Sequence, residues 1–312
     1  MFNSVFGQNE IKNIIVNQIK NKKISCAYIF TGDDVIVKES FVIEFAKILN
    51  CEKSIYSCNN CISCKKIDKR IHPDLHFINF EKQSQIYEED IKKQKTLKIR
   101  TIKYMQKKIF MKLYEGKYKI FIVDPAEKIT NIAINMLLKI IEEPPKNVLI
   151  IFFTKNKELI PKTITSRLQT LFFKRLKFED VFKWIALNYP SLNFDESRKI
   201  AKLSNGSLSI AKKIIYETFN NINNDFNILK KIFNEKIYIS DIFELSKKMS
   251  INYDLECIDI MIYDAKKKFC GNFNKLIYIL DLLIYSKKLL LKNVNPRIVF
   301  DSLLINLLDF NN

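Results

Sequence analysis

Four of the seven cysteines fall in one short stretch, CEKSIYSCNNCISC, at residues 51–64. Cys51, Cys58, Cys61 and Cys64 follow the pattern C-x6-C-x2-C-x2-C. Zinc takes four ligands at tetrahedral corners, about 2.3 Å from each thiolate. A C-x2-C step lets one turn aim two sulfurs at one ion, and Asn59-Asn60 is good turn chemistry. The longer first interval lets Cys51 return from the end of a preceding helix. Four thiolates with no open position describe a closed, structural zinc site rather than a catalytic one. An iron–sulfur cluster also takes four cysteines, although this spacing does not match the ferredoxin runs, and unpaired thiols are a third reading. Four thiolates around zinc carry about −2, which would bring the formal charge of +18 down to about +16.

A second stretch raises phosphate chemistry. Residues 28–40 read YIFTGDDVIVKES. A phosphate loop of the form G-x-x-x-x-G-K-[ST] sits between a strand and a helix. Gly32 and Lys38 stand at its spacing, but Val37 replaces the second glycine and Glu39 the hydroxyl residue. On these residues alone the loop is a nucleotide site, a ruined one or a coincidence. Histidine chemistry has little material, since His72 and His76 are the only two in the chain. His72-Pro73-Asp74 reads as a turn, and four thiolates already complete a zinc shell.

The elements that must position these residues follow from hydrophobic period. Residues 8–22 carry a helical apolar pattern, and Tyr28-Ile29-Phe30 reads as a buried strand. A helix through Phe41, Val42, Phe45, Ile48 and Leu49 comes next, then a strand over Leu75–Ile78. Residues 81–98 are polar and predict a surface loop, and Ile99 to Leu113 a helix ending near Gly116. Tyr118 to Asp124 and Val148 to Thr154 are nearly continuous apolar runs, as internal parallel strands require. Between them a helix spans Ile132 to Ile141 and breaks at Pro144-Pro145. Strands alternating with helices through residue 173 predict a doubly wound α/β domain. Beyond it the pattern is helical, with a helix end and cap at Lys202 to Ser207. The chain closes on two apolar helices, Leu276–Leu291 and Ile298–Leu308.

The whole composition sets the class. With 312 residues, 47% apolar and 28% charged, the chain has material for two or three globular domains. No secretion leader and no apolar run of about 18 residues is visible, which predicts a cytoplasmic protein with no membrane partner. The excess of positive charge invites DNA, since clustered cations release condensed counterions. However, 46 Lys against only 6 Arg is also what a compositional bias would leave on solvated helix faces.

These pieces together resemble one family. Val5-Phe6-Gly7-Gln8 is similar to the opening of bacterial DNA polymerase III clamp-loader AAA+ subunits, where an intact or degraded phosphate loop precedes a four-cysteine zinc module and His-Pro-Asp. Ile134 to Pro145, INMLLKIIEEPP, resembles that family's helix and Glu-Glu-Pro-Pro turn, and Pro161 to Gln169 its Thr-Ile-x-Ser-Arg-Cys-Gln stretch, with Leu168 at the cysteine. Asn293 to Arg297 and the leucine-rich helix after it resemble the collar. The resemblance spans almost the whole chain. It implies an AAA+ α/β domain over 1–173 with the zinc module at 51–64, a helical lid over 174–218 and an all-α collar over 219–312.

Within the family the chain looks most like the delta-prime subunit. Besides Val37 and Glu39, Pro125 stands where a Walker-B glutamate would activate water, and Ser209 where ATPase subunits carry a sensor arginine. These losses all fall on one reaction. The resemblance therefore implies a vestigial loop at Gly32 and Lys38, with ATP not bound by this chain. Ser166-Arg167 matches the family's arginine finger, which Arg167 would supply in trans to a neighbouring ATPase. Thr154 stands at the sensor-1 position. The implied partners are the gamma/tau and delta subunits, with the sliding clamp and primed DNA reached through the complex. Two rival expectations are a gamma/tau-like subunit that binds ATP with a divergent loop, and a stand-alone zinc-containing DNA-binding protein.

Overall fold

A computed structural model describes residues 2, 4–53, 56–219, 273–292 and 294–309, with isolated positions between 243 and 265. Cys257, Cys270 and Asn293 lie outside the described residues, as does most of 220–272. The chain divides into two compact units, residues 1–177 and 178–312.

The first unit is built on a five-stranded parallel sheet. The strands are β1 (Ala27–Thr31), β2 (Leu75–Ile78), β3 (Lys119–Val123), β4 (Val148–Thr154) and β5 (Gln169–Phe172), in the order β2-β3-β4-β1-β5. Every residue of β1, β3 and β4 is buried. Their runs of Ile, Val and Phe replace in–out alternation because parallel strands bury both faces. Parallel pairing needs crossover connections, and helices supply them. After α1 (Asn9–Lys20), which precedes β1, they are α2 (Val35–Asn50), α3 (Ile62–Asp68), α4 (Phe80–Tyr87), α5 (Ile99–Phe110), α6 (Asn131–Glu142) and the short α7 (Lys162–Thr165). One core gathers Ile29, Phe121 and Ile150 with Ile102 and Met105 of α5 and Leu137 and Ile141 of α6. An aromatic cluster of Tyr28, Phe30, Phe41, Phe45, Phe153 and Phe173 joins strands to α2, and Phe2 stacks on Phe41 at 4.4 Å.

Two expectations need correction. Residues 81–98 are not a plain surface loop: α4 occupies Phe80–Tyr87 and a 3-10 turn Ile91–Lys93. Asn79 caps α4 by accepting from the Lys82 N–H at 2.9 Å. What α4 buries is an amide, which leaves no hydrophobic signal. Gln83 is fully buried and donates to the Thr96 carbonyl at 2.9 Å, while its oxygen accepts from Thr101 Oγ1 at 2.9 Å and the Lys98 N–H at 2.6 Å. Helix α5 ends at Phe110, short of Leu113. The buried Lys119 ammonium explains the stop, because it donates to the carbonyls of Lys108, Met111 and Lys112 at 3.0, 2.6 and 3.0 Å. It satisfies acceptors that a helix end leaves open.

Among the described residues, the regular elements of the second unit are all helices: α8 (Phe178–Asn188), α9 (Phe194–Leu203), α10 (Leu208–Phe219), and the segments Phe273–Leu291 and Pro296–Asp309. Asn193 and Glu196 form a reciprocal capping box on α9. The break before α10 runs through Asn205 and Gly206, both at positive φ. The two last helices share a core of Ile279, Leu283, Phe300, Leu303, Leu304 and Leu307. No helix among the described residues is long and apolar enough to cross a membrane.

Candidate functional site

Parallel pairing brings the ends of β1, β3 and β4 to one edge of the sheet, with Thr31 beside Thr154. This is the edge where open α/β sheets take ligands. Gly32, Lys38, Asp124 and Thr154 meet there. Helix α2 begins at Val35, so Val37 and Lys38 lie in its first turn. Its N-terminal N–H groups would face phosphate in a working loop. Here the Asp34 carboxylate accepts from Ile36 N–H at 2.9 Å and Val37 N–H at 3.3 Å. Lys38 is 1% exposed, and its ammonium donates to the carbonyls of Gly32 at 2.8 Å and Thr154 at 3.0 Å. Burial pushes the Lys38 pKa down, against the pull of Asp124, Glu127 and Asp34.

The other loop residues are also engaged within the chain. Glu39 accepts from Arg70 at 2.7 Å, and Asp33 pairs with Arg175 at 3.6 Å. Gly32 has φ 151°, and a Cβ there would stand 2.6 Å from the Phe173 carbonyl oxygen. Glycine is thus required by close chain packing, whatever the loop binds. The Thr154 hydroxyl donates to the Asn156 carbonyl at 2.9 Å. Burial raises Asp124 to about 6, moderated by Lys38 and reinforced by Glu127 and Glu39. Glu127, two residues beyond Pro125, acts electrostatically on both Asp124 and Lys38. One oxygen of Glu127 is buried without a hydrogen-bond partner.

The cysteines gather at the other end of α2. Cys51 caps that helix, and Cys61 opens α3, which carries Cys64. The four sulfurs lie within 4.8 Å of one another. Tetrahedral thiolates around zinc stand about 3.8 Å apart, so the residues present fit the ion. The turn between them is a metal-binding knuckle in shape. Asn59 takes φ 57°, and the N–H groups of Cys61 and Cys64 donate to Cys58 Sγ at 3.3 Å and Cys61 Sγ at 3.4 Å. The N–H groups of Asn60 and Cys61 pull the Cys58 thiol down to about 6, whereas burial pushes Cys64 up to about 12. A bound dication would take the place of the thiol protons. The cluster could hold a metal such as zinc.

His72 is not one of the gathered ligands. Its Nδ1 accepts from the Asp74 N–H at 3.1 Å, and the Asp74 carboxylate caps the N–H groups of Tyr114, Glu115 and Gly116. His-Pro-Asp is a turn that anchors the approach to β3.

Arg167 follows α7 on the surface, with its side chain 42% exposed. Its Nε pairs with Glu142 at 2.8 Å, and Nη1 donates to the Thr163 carbonyl at 2.6 Å. Ser166 Oγ donates to the same carbonyl at 3.4 Å. The fold thus joins the Ser-Arg stretch to the Glu-Glu-Pro-Pro turn. Asp34 and Glu142 are the partners that reading by motif missed. Only Asp34 left a signal, as a good N-cap residue immediately before an apolar run.

The family described as DNA polymerase III, delta subunit, matches residues 7–177, more than half of the chain. The chain belongs to the bacterial DNA polymerase III clamp-loader family. Over 233 residues it is 29% identical to the DNA polymerase III subunit gamma of Buchnera aphidicola subsp. Schizaphis graminum, covering 73% of this chain and 61% of the relative. The delta' subunit of Bacillus subtilis is 31% identical over 171 residues, 54% of this chain and 48% of that one. The chain therefore spans less than two thirds of the length of these relatives. A solved gamma subunit-related protein of Thermotoga maritima is similar over 95% of this chain and 98% of its own, at TM-score 0.49 and 16% identity. Subunits called gamma and subunits called delta' both stand among the relatives of this clamp-loader chain.

Proposed function

We propose that this chain is the delta-prime-type, non-hydrolysing subunit of a clamp loader. Its partners would be gamma/tau ATPase and delta subunits, loading a sliding clamp on primed DNA. The observation that carries this reading is the phosphate loop filled from within. Asp34 takes N–H groups that a phosphate would need, and Lys38 spends its ammonium on two carbonyls of its own chain. A second carboxylate, Glu39, lies where a magnesium-binding hydroxyl belongs. ATP is then not a ligand of this chain, and the metal at the cysteines is a structural zinc.

Arg167 takes the active role as an arginine finger in trans, with Ser166 shaping its turn. Its pair with Glu142 is half exposed, and such pairs are worth only about 0–1 kcal/mol. The guanidinium can therefore exchange that carboxylate for a neighbour's γ-phosphate at small cost. Residues 174–218 would form a lid and 219–312 a collar. Exposed Phe273, Ile277, Ile284 and Leu291 along one helix offer apolar surface for neighbouring subunits.

A second reading, an ATP-binding gamma/tau-like subunit, is favoured by the gamma relatives and by a second carboxylate, Glu127, that acts electrostatically on Asp124. ATP binding at the chain's own loop separates the two, and reconstitution tests the finger. In a complex with authentic ATPase partners, Arg167→Ala should leave assembly intact. It should lower the ATPase rate stimulated by clamp and DNA, since a trans finger supplies on the order of 10³ in rate. Unchanged turnover in a fully assembled complex would remove the finger role.

A further inference from the structure

Under the cysteine turn lies a buried ionic network that the fold alone does not call for. Glu44 and Lys47, one turn apart on α2, are only 2% and 4% exposed and pair at 2.9 Å. Burying a charge pair is costly unless its remaining donors and acceptors are all used. Here they are used on the residues that bracket one cysteine. Glu44 accepts from the hydroxyl of Ser57, just before Cys58. The Lys47 ammonium donates to Asn59 Oδ1, just after it, at 2.8 Å. Lys47 also pairs with Asp68 at 3.0 Å, at the end of the helix that carries Cys64. Glu44 further accepts from Ser4 Oγ at 2.6 Å, tying in the start of the chain.

Cys58 has the greatest need of such support. Cys51, Cys61 and Cys64 are buried, while Cys58 is only partly so and lies in the loop between helices. Its turn depends on Asn59 holding a left-handed conformation. Lys47 grips the side chain of that residue at 2.8 Å, with its charge balanced by Glu44 and Asp68. Groups outside the ligand shell orient ligands and tune affinity in this way.

We propose that the buried Glu44–Lys47 pair is the positioning device of the four-cysteine metal site, setting Cys58 for the ion through Ser57 and Asn59. The proposal rests on the metal reading of the four cysteines and adds two residues distant from them in sequence. Lys47 and Glu44 are positioning residues, since neither offers the ion a ligand. The experiment is cobalt(II) titration of the full chain, reduced and metal-free, read by thiolate–cobalt absorption and by competition with a chelator. Ser57→Ala/Asn59→Gly cuts both links while leaving the buried pair intact, and glycine keeps the left-handed turn. It should bind cobalt about 10- to 100-fold more weakly, with absorption per bound ion reduced as Cys58 drops out. Asn59→Gly alone should move both readouts in the same direction by less. Lys47→Met should match the double variant. Affinity within about twofold of the parent, with the parent spectrum, would overturn the positioning role while the metal reading stands. A parent chain that takes up no cobalt would overturn both.

Discussion

Helix α2 has a candidate site at each end, and the two ends have gone opposite ways. At its N-terminus the sequence brings its own anion, Asp34, to the free N–H groups, and its own carbonyls to Lys38. At its C-terminus it brings four thiols to within 4.8 Å of one another. Four thiols gathered around a point could hold a cation. Opposite groups gathered around a point satisfy one another. The lesson is that shape alone does not make a site: a strand, turn and helix meet around Gly32 and Lys38, and the polar groups there bond to one another.

The largest expected effect tests the open end. Cys64→Ser should reduce bound zinc to near zero by elemental analysis. It should also expose residues 51–70 to limited proteolysis, because ion binding supplies about 10–16 kcal/mol in small zinc modules. Full zinc content in that variant would mean that the cysteines are not a closed four-ligand site.

A smaller effect tests the closed end. Lys38→Met removes a buried ammonium and takes its donor from the Gly32 carbonyl, while the Thr154 carbonyl keeps the Gly32 N–H at 3.1 Å; such a loss costs about 1–3 kcal/mol. Its melting temperature should fall, and ATP with magnesium should protect neither parent nor variant. Protection of the parent that is lost in the variant would make Lys38 a nucleotide ligand and end the contrast between the two ends.

The smallest effect separates loss of metal in acid from loss of the fold in acid. His76 stacks on Phe121 at 4.8 Å, and burial, then the positive charges of Lys108 and Lys119, lower its pKa to about 4. An unfolded histidine titrates near about 6.5. The unfolded state thus takes up the proton first as pH falls, so stability present above about 6.5 is lost down to about 4. His76→Phe should keep the stack and flatten that part of the melting curve against pH. Acid release of cobalt from the cysteines should be unchanged. A parallel shift of both would show that the metal site and the sheet respond to acid as one.

Much of this was legible in sequence, for identifiable reasons. Strands β1 to β4 announce themselves as apolar runs, and the cysteine spacing states its own geometry. β5 reads Gln-Thr-Leu-Phe, too short and too polar to declare a strand, and is defined by pairing with β1. Helix α4 was hidden because Gln83 buries an amide in place of an apolar side chain. At the loop, the substitutions Val37 and Glu39 showed what was missing from a phosphate site. What replaced it, Asp34 on the helix and Lys38 on Thr154 across 116 residues, depends on the sheet bringing strand ends together. The pairs Arg167–Glu142 and Lys47–Asp68 are likewise products of the fold.

The claim that the phosphate loop is closed from within is tested most directly by calorimetric titration of the zinc-replete chain with ATP and magnesium, up to millimolar nucleotide. No saturable heat and no rise in melting temperature are expected. Saturable binding with a micromolar Kd would contradict it, because Asp34 and Lys38 would then have to release their present partners to admit phosphate.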